Sequence, residues 1–177
     1  MLPHGFLRVA AATPVVRVAD CEFNARQHLD LIRRAEAERV DLLVFPELSL
    51  TGYTCGDLFA HPTLQRGAVD ALAKVAHDTG KQFSGVVALG LPMLVDDGLF
   101  NCAAVLHRGR ILGIVPKSFL PNYKEFYECR WFAPAAVGRS REAVVAGQTV
   151  PFGVDQLFHA ADAPGFVVGV EICEDLW

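Results

Sequence analysis

The sequence predicts an α/β fold, and three observations lead there. Short β-branched apolar runs alternate with longer stretches of helical periodicity. Those runs are punctuated by turn residues, notably Pro46, Asp96-Asp97-Gly98 and Arg108-Gly109. At 177 residues and 52% hydrophobic content, the chain can bury one real core, about 70% of the surface exposed when unfolded. Phe6 to Ala12 reads as the first strand. Asp20 is placed to cap a helix running to about Arg39, with Phe23, Ile32 and Ala35 inward and Arg33, Arg34, Glu36 and Glu38 outward. Asp41 to Phe45 (DLLVF) has the nearly unbroken apolar character of a strand buried on both faces, and Pro46 ends it.

A loop from Glu47 to Asp57 then leads to a helix expected from Pro62 or Thr63 to Gly80. Phe83 to Leu91 is the next buried strand. Phe100 to His107 and Arg110 to Val115 form a hairpin around Arg108-Gly109. Pro116 to Gly147 is aromatic and charged with little periodicity, the pattern of a long functional loop. Val150 to Ala160 holds a short strand or edge hairpin, and Phe166 to Ile172 (FVVGVEI) reads as a final buried strand. No repeat, low-complexity tract or linker divides the chain, so one domain is expected.

Composition removes several function classes. A net charge of −4 argues against a nucleic-acid surface, and no apolar run reaches the roughly 18–20 residues needed to cross a bilayer. The N-terminus lacks the basic start of a secretory signal, so an intracellular, cytoplasmic chain is expected. Five dispersed cysteines without a C-x-x-C pair fit a reducing compartment and offer no zinc site; the six histidines never stand four residues apart. The phosphate loop G-x-x-x-x-G-K-[ST], the dinucleotide fingerprint G-x-G-x-x-G and the nucleophile elbow G-x-S-x-G are all missing.

Ligand sites in α/β sheets form beyond the carboxyl ends of strands. Glu47 follows DLLVFP, Lys117 follows RILGIVP, and Cys173 follows FVVGVEI. A cysteine sulfur attacks a carbonyl carbon, an ammonium stabilises the resulting oxyanion, and a carboxylate moves the protons. The N–H of Glu174 supplies a second oxyanion donor. Each residue also has a plain structural alternative: Cys173 an inert buried thiol, Glu47 a loop carboxylate or helix cap, Lys117 solvated surface. Glu171, Glu174 and Asp175 around Cys173 disfavour a thiolate, which calls for a compensating partner or marks an unreactive thiol.

FPELSLTGY (Phe45 to Tyr53), PKSFLPNYKEFYECRWF (Pro116 to Phe132) and VEICEDLW (Val170 to Trp177) resemble the three catalytic blocks of the nitrilase, or carbon–nitrogen hydrolase, superfamily. The likeness is greatest to the N-terminal glutaminase domain of glutamine-dependent NAD+ synthetases. HGFLRVAAAT, FNCAAVLHRGRILGIVPKS and PFGVDQLFHAADAPGFVVGVEICED extend it along nearly the whole chain. The resemblance implies a nitrilase-like αββα sandwich. It makes Glu47 the general base and acid, Lys117 the oxyanion-stabilising residue and Cys173 the nucleophile that forms a glutamyl thioester. Tyr123 would contact the substrate L-glutamine, Phe126 would wall its pocket, and Glu128 would support the triad. Tyr123, Phe126 and Tyr127 otherwise read as loop packing, Glu128 beside Arg130 as a surface pair, and Tyr53 and Asp57 as loop-ordering residues.

Members of that family continue past the nucleophile. The resemblance therefore implies that residues 1–177 hold the front part of a glutaminase domain. The remainder, and a C-terminal synthetase domain using ATP and Mg2+ to amidate deamido-NAD+, would lie outside them. It also implies a homo-oligomer when full length, no metal or cofactor within this portion, and little or no glutamine hydrolysis by the portion alone. The rival readings are a stand-alone amidase or N-carbamoyl amide hydrolase of the same superfamily, and a non-catalytic α/β domain.

Overall fold

The computed structural model describes residues 5–161, 163 and 165–177; His4 of the six histidines lies outside them. Strand β1 (Val9–Ala11) leads through helix α1 (Cys21–Ala37) to β2 (Leu42–Val44), and helix α2 (Pro62–Gln82) leads to β3 (Val86–Val95), β4 (Gly98–His107) and β5 (Arg110–Pro116). These strands form one sheet in the order β1-β2-β3-β4-β5, parallel across β1, β2 and β3 and antiparallel from β3 to β5. Two small hairpins follow: β6 (Glu142–Val145) with β7 (Gln148–Pro151), and β8 (Phe158–His159) with β9 (Val167–Val168). Among the described residues no helix is long and apolar enough to cross a membrane.

Local chemistry accounts for the boundaries. The Asp20 carboxylate accepts from the N–H of Phe23 at 3.0 Å and starts α1. Pro62 occupies the first turn of α2, where its missing N–H costs nothing. Asp96 and Asp97 (φ 50° and 65°) and Arg108 and Gly109 (φ 47° and 83°) turn the two long hairpins in the left-handed conformation that matches strand twist. Inward residues Ala25, Leu29, Ile32, Ala68, Leu72 and Val75 of the helices share one core with Leu43, Val87, Leu89, Ala104 and Leu106 of the sheet.

Several expectations need correction. Helix α2 runs past Gly80, because that glycine serves close approach: a Cβ there would meet Gly109 Cα at 3.1 Å. Strand β2 is buried on one face only; Leu43 faces the helices, while Val44 beside it is 41% exposed. The stretch between Pro116 and Gly147 is not wholly loop, since β6 lies within it. Phe166 to Ile172 is not a buried strand. Among the described residues only Val167 and Val168 pair, with β8 alone, and residues from Gly165 to Glu171 alternate between exposed and half-buried. An apolar run records side-chain preference, not how many strands flank it.

Candidate active site

Glu47 stands three residues beyond β2, on a loop that the sheet and α1 both hold. Leu48 has φ 52°, and the N–H of Leu50 donates to the carbonyl of Gly90 in β3 at 3.0 Å. The loop lies so close to β3 that a Cβ on Gly90 would collide with the backbone nitrogen of Leu48. From α1, the fully buried Asn24 donates through Nδ2 to the Leu50 carbonyl at 3.0 Å. His28, also fully buried, has Nε2 2.8 Å from Ser49 Oγ and Nδ1 2.7 Å from the carbonyl of Asn24. Burial lowers the His28 pKa to about 4 against the upward pull of that carbonyl, so the ring is neutral at physiological pH. These polar residues on the inner face of α1 anchor the segment that carries Glu47.

Lys117 follows β5 directly, and its N–H still pairs with the Asn101 carbonyl of β4 at 2.8 Å. Its side chain has no exposed surface. Nζ donates to Glu47 Oε1 at 2.6 Å and to Glu128 Oε1 and Oε2 at 2.9 and 3.0 Å. Burial by itself would lower the lysine's pKa. The hydrogen bonds and charges of Glu47 and Glu128 outweigh it and hold the ammonium above its ordinary range. Glu128 is 1% exposed and also accepts from the Tyr53 hydroxyl at 2.6 Å. Burial, then Glu128, keeps that phenol protonated. Lys117 is thus not solvated surface, and Glu128 is not paired with Arg130. Arg130 instead grips Asp57 at 2.7 and 2.8 Å, with Trp131 Nε1 on the same carboxylate at 2.9 Å; this orders the loop, as expected for Asp57.

Cys173 opens a short 3-10 turn, Cys173–Leu176, with φ 50°, and is exposed rather than buried. It shares with Glu47 a cleft of about 110 Å³ whose floor includes Ala88, Gly90 and Ala103 of the sheet. Partial desolvation of the sulfur and the charge of Glu47 push its thiol pKa up; Lys117 pulls the other way, and Glu128 and Glu174 add to the rise. Asp175 fastens this turn to the segment after Lys117. Its Oδ1 accepts from the N–H groups of Ser118 and Phe119 at 2.9 and 2.8 Å, and its Oδ2 from Ile172 at 3.2 Å.

The structure brings the expected trio together: Glu47 touches Lys117, and Cys173 lines the same cleft as Glu47. Tyr123 is half exposed and donates to the Glu174 carboxylate at 3.2 Å, with Phe126 edge-on to it at 6.1 Å between centroids. Neither lines the cleft with Glu47. The reading from sequence missed Tyr53, assigned to loop ordering alone, and also Asn101, Asp175 and the α1 pair Asn24 and His28. Asn101 did leave a trace, a polar residue inside the apolar strand FNCAAVL. Among the described residues no three His, Cys, Asp or Glu side chains converge as metal ligands.

Comparison with known proteins gives the chain a family. The family described as carbon-nitrogen hydrolase matches residues 8–177. Glutamine-dependent NAD(+) synthetase of Mycobacterium tuberculosis is 42% identical over 174 residues, 98% of this chain and 25% of that protein. The enzyme of the same name from Thermotoga maritima is 35% identical over 171 residues, 97% and 26%. A crystal structure of a glutamine-dependent NAD(+) synthetase from Cytophaga hutchinsonii superposes with a TM-score of 0.85 at 32% identity, covering 96% of this chain and 28% of that one. An amidase from Nesterenkonia sp. aligns with a TM-score of 0.61 at 21% identity, over 85% of this chain and 56% of its own, which supports the fold alone. The chain spans about a quarter of the length of the curated relatives it matches.

Proposed function

The chain belongs to the carbon–nitrogen hydrolase family, and from that premise we propose that it is the glutaminase portion of a glutamine-dependent NAD+ synthetase, hydrolysing L-glutamine to glutamate and ammonia. The observation that carries this reading is the sequestered Lys117 ammonium, held between Glu47 and Glu128 beside the cleft that Cys173 lines.

The thiol pKa is raised, so Cys173 is protonated at neutral pH and needs a base during attack. Glu47 takes that proton as Sγ bonds to the amide carbon of glutamine. The carbonyl oxygen gains negative charge, which Lys117 and the Glu174 N–H stabilise. One N–H of Lys117 can straddle the two oxygens of Glu128 and a second reaches Glu47, which leaves the third for the oxyanion. Glu47 returns the proton to the departing nitrogen, ammonia leaves, and a thioester remains. Glu47 then takes a proton from water, the hydroxyl adds to the thioester carbon, and the C–S bond breaks. Glutamate departs and the sulfur regains its proton.

Tyr123 and Phe126 are proposed to meet the substrate from the loop before Glu128. Their absence from the cleft of Glu47 supports contact with the amino-acid end of glutamine rather than with its amide. In the same proposal, ammonia serves an ATP- and Mg2+-dependent amidation of deamido-NAD+ in a domain that these residues do not include.

The test is intact-mass spectrometry and peptide mapping of the full-length protein after treatment with a glutamine analogue bearing an electrophilic ketone in place of the amide. A single adduct on Cys173, lost in Cys173→Ala and in Glu47→Gln, is expected. Equal labelling of the exposed Cys129, or none at Cys173, would overturn the reading. Faster hydrolysis of simple aliphatic amides than of glutamine would move it to the amidases of the family.

A further inference from the structure

Glu47 presents two oxygens, and the structure treats them differently. Oε1 accepts from Asn101 Nδ2 at 2.6 Å and from Lys117 Nζ at 2.6 Å. Among the described residues, Oε2 accepts no hydrogen bond, although the carboxylate reaches the cleft with 17% of its side chain exposed. Asn101 itself lies in β4 opposite Pro92 of β3 and is fully buried. Its amide orientation is fixed by chemistry, since only the NH2 can face a carboxylate. The other half of that amide, Oδ1, is buried and has no partner among the described residues. An unsatisfied buried acceptor costs stability, and an apolar residue of the same size would avoid the cost at a site flanked by Phe100 and Cys102.

We infer that Asn101 is a positioning residue that anchors Oε1 of Glu47 and so reserves Oε2 for proton exchange with Cys173. The inference rests on the proposed role of Glu47. Lys117 cannot perform the anchoring alone, because its single N–H on Oε1 leaves the carboxylate free to pivot, while its other two serve Glu128 and the oxyanion. The neutral amide has no such competing demand, and it keeps the carboxylate from rotating while the lysine shares its bonds. The ionisable groups around Glu47 are Lys117, Glu128, Tyr53, Cys173 and, on the cleft wall, Glu171. None of these supplies a second neutral donor to Oε1.

The experiment measures glutamine hydrolysis against pH, together with thermal stability, for wild type, Asn101→Leu, Asn101→Asp and Glu47→Gln in the full-length protein. Asn101→Leu should melt no lower than wild type, because the orphaned acceptor is gone. Its kcat should fall about 10- to 100-fold, a fraction of what general-base catalysis supplies, with KM changed by less than about 3-fold. The acidic limb of its kcat/KM profile should move to higher pH, since a donor favouring the charged carboxylate has been removed. Asn101→Asp keeps the shape, loses the donor and adds a like charge, so it should shift the limb further; it carries the test if the leucine variant fails to fold. A wild-type kcat and unmoved limb in these variants, with Glu47→Gln inactive, would overturn the inference and leave the base assignment standing. An active Glu47→Gln would overturn the assignment beneath it.

Discussion

Replacing Lys117 with methionine removes the only cation hydrogen-bonded to Glu47 and Glu128 among the described residues. The side chain is entirely buried, and its Nζ lies 2.6 Å from one carboxylate and 2.9 Å from the other. Those two lengths confine the facing oxygens to about 5 Å of each other, where two unit charges repel by roughly 3 kcal/mol at an effective dielectric near 20. Losing one partner of a buried charge cluster typically costs about 3–5 kcal/mol, which agrees. For a chain of this length, the melting temperature should fall by roughly 6–20 °C. The pH dependence gives a sharper signature. The folded variant relieves the repulsion by holding a proton between the two carboxylates, one that the unfolded chain does not hold near neutrality. Folded binding of extra protons makes stability fall as pH rises, so Lys117→Met should be firmer at pH 5 than at pH 8. Urea denaturation across that range measures it, with the exposed Lys74→Met as control. A variant within about 1 kcal/mol of wild type, or one with no such slope, would mean that the charges are solvated and that the cluster is not what orders the site.

Three further outcomes follow from other parts of the same framework. His28 is neutral in the fold with a pKa near 4, below its unfolded value of 6.5; its contribution is complete above pH 6.5 and is lost as pH falls toward 4. Denaturation at pH 7 and pH 4 should differ by about 3 kcal/mol from this group, and the difference should vanish in His28→Leu. Gly90→Ala pushes on the backbone of Leu48 and should cost about 1–3 kcal/mol. At matched stability it should lose more glutamine hydrolysis than Gly80→Ala, whose added methyl meets only the distant Gly109 turn; equal losses would separate the Glu47 loop from the chemistry. Asp175→Ala releases the N–H groups of Ser118 and Phe119 and should slow electrophile labelling of Cys173 relative to Cys129, as read by peptide mapping. An unchanged ratio would show that the turn holds its shape without that clasp.

What the sequence made legible is local. Asp20 announces α1 because a carboxylate at that position finds the free N–H of Phe23 within its own turn. The two long hairpins are readable because Asp-Asp-Gly and Arg-Gly tolerate positive φ. Glu47, Lys117 and Cys173 stood out as polar residues following apolar runs, and the fold brings them together even though the run before Cys173 is not a sheet strand. The partnerships were not legible. Tyr53 and Glu128 meet across 75 positions and Asn101 and Glu47 across 54, distances over which no periodicity operates. His28 and Asn24 lie on the inward face of α1, where the pattern alone reads as core, and only the carbonyl of Leu50 and the hydroxyl of Ser49 explain their polarity.

The acidity around Cys173 at first argues against a nucleophile, and the fold turns it into a statement about timing. One ammonium and two carboxylates form a cluster with excess negative charge, and the thiol beside it is held protonated. A site built for a standing thiolate would place the cation against the sulfur. Here the cation is bonded instead to the carboxylates, one of which lines the cleft with the thiol. In the proposed mechanism the sulfur therefore becomes negative only as its proton passes to Glu47, in the same interval that charge appears on a substrate oxygen within reach of Lys117. A cysteine that is inert until a carbonyl arrives is protected from casual oxidation and alkylation. In that mechanism the cost of such protection is that Glu47 must be held in one orientation, a demand that its buried contacts to Asn101 and Lys117 meet.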